Sequence, residues 1–269
     1  MKKKLIGLSL VVLTSSFLFA DGKKVEPISE AEKKEIMSEN VFTLPSAGAL
    51  ANHLQHSLGK IDWSKFMSFK TQDIAKLSLE KRVLHLGAKG ADAYFLAIAN
   101  DNAHLNSVSK NINNTLNMIS LKKRPLSKRV GKGNLKKLET SIKAKKWAVV
   151  LDQITKLKDK IGQEFIATKQ KDLKILNDVG GWLEGYRLSV EGFNTNFKAK
   201  TTDVLVQDDL IKYLLKEMKS VKSFTEKKDI IKILTDINGV LAKATKDYKL
   251  SKKQVAELSK ILANTSSIL

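Results

Sequence analysis

The sequence predicts an all-α protein: a bundle of about eight helices in a single compact domain behind a signal peptide. Three observations carry this. Apolar residues recur at spacings of three, four and seven over long windows, the mark of helices with one buried face. There are only three prolines and no alternating runs of Val, Ile and Thr, which argues against a β fold. Hydrophobic residues make up 42% of the 269 and cysteine is absent, so the chain must rest on a core and not on disulfides.

The first element lies outside the fold. "MKKKLIGLSLVVLTSSFLFA" combines three lysines, an apolar run from Leu5 to Leu13 and Ala20 at a cleavage position. That is the plan of a secretory signal peptide, too short in its apolar part to stay as a membrane span. Removal of residues 1–20 lowers the formal charge from +20 to +17. A periplasmic or secreted location follows. Residues 21–41 are polar and read as a flexible lead-in to a helical domain over 42–269.

Within that domain Pro45 and Ser46 introduce a helix over 47–58, which Gly59 stops. Asp62 to Ser68 is short and aromatic. A long helix follows from about Thr71 or Asp73 to Asn100, buried through Ile74, Leu77, Leu84, Ala88, Ala91, Phe95 and Ile98. The next spans 102–119. "LKKRPLSKRVGKGNLKK" has a proline and two glycines, so it reads as a connection holding at most a helical turn, and a subdivision could fall near 122–134. From Trp147 one stripe runs through Val150, Ile154, Ile161 and Phe165, resumes through Leu173, Leu176 and Val179, and fades near Phe197. Three last helices are expected over 203–221, 226–244 and 252–263, the final one capped by Ser251.

Three segments carry a resemblance: "LPSAGALANHL" from Leu44, "LHLGAKGADAYF" from Leu84 and "GGWLEGYRL" from Gly180. In that order they resemble a family of exported, uncharacterised all-helical proteins and lipoproteins found mainly in Bacteroidetes. The family tends to read Leu-Gly, a spacer, Ala-Asp and an aromatic, then Gly-Gly-Trp, an aliphatic, Glu-Gly and an aromatic. The resemblance covers roughly Phe42 to Asn196 and implies an exported helical bundle without an assigned reaction. This chain departs from it by lacking a lipobox cysteine and by its basic charge.

The same segments supply the candidate site. Gly181 and Gly185 are four apart on one helix face, as are Gly87 and Ala91 on another, with Glu184 and Asp92 beside them. Each helical glycine costs about 1 kcal/mol relative to alanine. A tight helix crossing would offset that through close packing, with Trp182 and Tyr186 covering a neighbouring groove. Asp92 and Glu184 then either form a carboxylate site for a metal or small ligand, or satisfy Tyr, Lys and backbone donors in the seam. The second reading is the commoner outcome.

Other chemistry finds little support. His53 and His56 could present a metal pair, but two ligands do not make a site and no further ligand spacing accompanies them. There is no phosphate loop, no Gly-x-Ser-x-Gly elbow and no haem-attachment motif, so neither an enzyme nor a cofactor is expected. The basic excess is concentrated instead. Between Lys122 and Lys146 stand eleven Lys or Arg and one acid, Glu139, a local charge of +10. Lys122, Lys123, Arg124, Lys128, Arg129, Lys132, Lys136 and Lys137 form the candidate anion-binding surface. Export and the absence of interleaved aromatics make nucleic acid an unsuitable partner. Anionic lipid, an acidic envelope polymer or an acidic protein suits it better.

Overall fold

Helix caps and left-handed residues divide this chain more finely than its apolar stripe suggests. A computed structural model describes residues 54, 57–69 and 73–269. The signal-peptide segment, the lead-in, His53, His56 and most of the 47–58 helix lie outside the described residues. Leu54, Ser57 and Leu58 are helical, and Gly59 follows at φ +76°, the left-handed stop expected there.

Among the described residues there are nine α-helices. Helix α1 spans Leu79–Ile98 and begins later than expected. Ser78 caps it by accepting from Lys81 N, and a separate 3₁₀ turn, Ile74–Lys76, precedes it. Asn100 takes φ +58° and Asp101 caps α2, Asn102–Met118. The segment read as a connection is in fact structured. Strands β1, Ser120–Leu121, and β2, Arg124–Pro125, form a hairpin, followed by α3, Leu126–Val130, and α4, Lys132–Lys143.

Helix α5, Trp147–Ala167, and helix α6, Lys171–Thr195, divide the long stripe, because Lys169 adopts φ +60° between them. Helices α7, Asp208–Ser220, α8, Lys227–Leu241, and α9, Lys252–Ala263, complete the bundle. Residues 199–205 are a 3₁₀ turn, so α7 starts later than its apolar pattern suggests. Ser251 caps α9 as expected, and Gln254 completes a full capping box with it.

Among the described residues the α1–α6 contact is the most extensive between any two elements. Helices α2 and α5 pack on α1, while α7 and α9 pack on α6. The core therefore runs continuously through that pair, with Phe95, Leu96, Val179, Leu183 and Tyr186 fully buried. The described residues fall within one compact unit, undivided at 122–134. No described helix is long and apolar enough to cross a membrane.

Candidate functional site

The glycines of α1 and α6 meet backbone to backbone. A Cβ added at Gly180 would collide with the Leu84 carbonyl, and one at Gly87 with the Asn177 carbonyl. A Cβ at Gly181 would lie 3.2 Å from Gly87 O. Asn177 Nδ2 donates to Val83 O across the same seam at 3.2 Å. The expected crossing is therefore present, but Gly180 is its tightest point on α6. Gly185 and Ala91, together with Gly87 and Gly181, line a cavity beside it. Trp182 and Tyr186 stack at 4.8 Å and cover the approach to α7, bonding Gln207 Oε1 and Leu205 O.

Asp92 and Glu184 are brought together, each with a cation on its own helix. Lys89 Nζ lies 2.7 Å from Asp92 Oδ2. Arg187 donates to both Glu184 oxygens, at 2.8 Å and 2.5 Å, in the bidentate form that favours arginine. Both spacings are i,i+3, so each ion pair is local and the contact between the carboxyls joins the helices. Arg187 also donates to Phe66 O at 2.8 Å and Lys89 to Ser68 O at 3.4 Å, tying the 62–69 segment to the crossing.

The two carboxyls differ in ionisation. Burial, reinforced by the negative charge of Glu184, pushes Asp92 up to about 8. Burial acts on Glu184 too, but its hydrogen bonds and charge pairing with Arg187 outweigh that and hold it below the usual carboxylate range. Asp92 therefore carries the proton and bonds to Glu184. Its Oδ1 has no donor facing it, which is the position expected of an oxygen that itself bears a hydrogen. Each carboxyl is thus paired with a cation, and Asp92 lines neither nearby cavity, whereas Lys89 borders the polar one.

Two cavities flank the crossing. The first, of about 110 Å³, lies between α1, α5 and α6 on a floor of Gly87, Gly90, Gly181 and Gly185. Leu86, Ile154, Leu157 and Ile161 wall it, with Tyr94 and Trp182, and polar groups such as Lys158 and Asp159 stand at its mouth. The second, of about 190 Å³, is polar and is lined by Ser68, Lys89, Ser107, Lys110, Asn111 and Asn114 among others. Beside it His85 is buried between Leu269 O and Asn111 Oδ1, and burial lowers its proton affinity. Among the described residues no three His, Asp or Glu side chains gather as metal ligands.

The basic segment is displayed on the hairpin, α3 and α4. Lys122, Lys123, Arg124, Lys128, Lys132, Lys136 and Lys137 are exposed. Among the described residues none of these has an acidic partner within salt-bridge distance, whereas lysines elsewhere pair with acids, as Lys174 does with Asp178. Arg129 differs from the expectation. It is half-buried, donates twice to Leu121 O and pairs with Glu164 at 3.3 Å, so it braces the hairpin against α5.

Composition could not reveal Gly180, Lys89 and Arg187 as site residues, although the i,i+3 spacings of Lys89 to Asp92 and Glu184 to Arg187 were there to be read. The chain matches no protein-family model, no curated protein and no solved structure.

Proposed function

We propose that this is an exported, non-enzymatic binding protein whose basic face engages an anionic lipid surface of the envelope. One observation carries the reading. The register Ser120↔Pro125 and Leu121↔Arg124 leaves Lys122 and Lys123 alone in the two-residue turn, at φ +47° and +64°. Asn-Gly is the sequence that suits such a turn, because both positions need the left-handed region. Here two lysines occupy them, and strain kept at a tip of charged, exposed residues points to use.

The surroundings support the same reading. Helix α4 continues the basic surface for about 18 Å, from twelve residues at 1.5 Å each. In the sequence, exposed apolar residues bracket it: Met118 at the end of α2, just before the hairpin, and Val149 in the first turn of α5, each 42% exposed. Basic residues beside apolar ones suit a headgroup layer, which offers both charge and hydrocarbon.

Binding to phosphatidylglycerol vesicles, with phosphatidylcholine vesicles as the reference, tests the proposal. The protein should bind the former and be released by salt. Reversing Lys122, Lys123, Arg124 and Lys128 to Glu should weaken binding at least about tenfold, at roughly 1 kcal/mol per basic residue near the surface. Binding that ignores both the reversals and added salt contradicts it. Binding to an acidic polymer or acidic protein but not to the vesicles would move the partner to that class.

A further inference from the structure

We infer that the cavity between α1, α5 and α6 is a binding site for a small hydrocarbon group, either a ring or the end of an aliphatic chain. The inference rests on the apolar cavity and on Gly90 at its floor, which, unlike the equally unobstructed helical Gly133, Gly162 and Gly239, faces that cavity. Gly87 and Gly181 have a reason in the crossing, where backbone meets backbone. Gly90 has none, because a Cβ added there would touch nothing within 4 Å. Glycine inside a helix is unfavourable relative to alanine, and alanine would fit without a shift. The space in front of Gly90 is the cavity itself.

The chemistry of the walls sets the class of ligand. Leu86, Ile154, Leu157 and Ile161 are buried and offer no hydrogen bond. The Trp182 indole N–H, the one polar group of that ring, is already bonded to Gln207 at 3.0 Å. Water entering such a space finds few partners. Apolar cavities of this order stay dry and take up small hydrocarbons. Of the charged groups that line it, Lys158 and Asp159 are exposed at the mouth, where they can meet the polar end of a longer molecule, and the half-buried Asp178 is paired with Lys174 at 2.6 Å. The site is separate from the basic hairpin, so it stands whether or not that surface binds lipid.

Amide NMR of the full chain with toluene and with octanoate tests this. At least one probe should shift the Gly87, Gly90 and Gly181 resonances saturably. Gly90→Leu, whose side chain fills the space, should lower affinity at least tenfold. Gly162→Ala is the control: Gly162 is also helical and unobstructed but lines neither described cavity, and the variant's affinity should be unchanged. If Gly90→Leu does not fold, Gly90→Ala should fold and weaken binding severalfold. Toluene binding alone assigns a free small molecule. Octanoate binding that Lys158→Glu weakens assigns an acyl chain with its head at the mouth. No saturable shift with either probe overturns the inference, as does parent-like binding by the folded Gly90 variants.

Discussion

Asp92 and Glu184 are the same functional group under unequal neighbours. Arginine, with two aligned donors, keeps Glu184 ionised; Lys89 offers Asp92 a single one, so burial wins there and the proton stays. A carboxyl whose proton is held more tightly in the folded state loses stabilising effect as pH rises. Below 3.8 Asp92 is protonated in both states; between 3.8 and about 8 only the folded chain keeps the proton. Folding stability should therefore fall with rising pH across that window because of this residue. Asn at the same place mimics the protonated acid, with an oxygen for Lys89 and an N–H for Glu184. Asp92→Asn should remove that part of the decline, so that the variant gains on the parent from pH 4 to pH 8 in thermal melts. Parallel melting curves would place the proton elsewhere. Sequence alone put both acids at the crossing, but which one is charged depends on which cation reaches it.

At the scale of elements, the hairpin is where local strain and proposed use coincide. Left-handed backbone costs a non-glycine residue about 1 kcal/mol or more. Replacing Lys122 with Asn and Lys123 with Gly should therefore stabilise the fold by about 1–2 kcal/mol in urea titrations, while anionic-vesicle binding weakens. A less stable double variant would show that the lysines hold the turn. The hairpin and α4 were hidden in the sequence because Pro125, Gly131 and Gly133 look like breakers. Gly131, at φ +86°, only separates two short helices, and Gly133 fits inside α4. The α5–α6 break was hidden for the opposite reason. Lys169 makes the left-handed turn that glycine usually makes, so no punctuation marks it. The long amphipathic helices were legible because a single buried face repeats through them.

For the whole molecule, the α1–α6 pair is the junction on which the α2–α5 and α7–α9 groups both pack. Its glycines set the helix separation, and that separation places the carboxyl pair on one side and the apolar cavity on the other. The two sequence segments around Gly87 and Gly181 were recognisable as a crossing because small residues at helical spacing are costly unless a backbone lies against them. The cavity was not legible, since it depends on α5 coming to the same place from another part of the chain. Thermal melts of Gly180→Ala beside Gly90→Ala test this account most directly. Both changes improve helix propensity by nearly 1 kcal/mol. The account predicts opposite signs: Gly180→Ala forces its Cβ against the Leu84 carbonyl and destabilises by about 1–3 kcal/mol net or more, while Gly90→Ala meets open space and melts higher than the parent. A Gly180→Ala protein that melts at or above the parent temperature would contradict the crossing on which the rest is built.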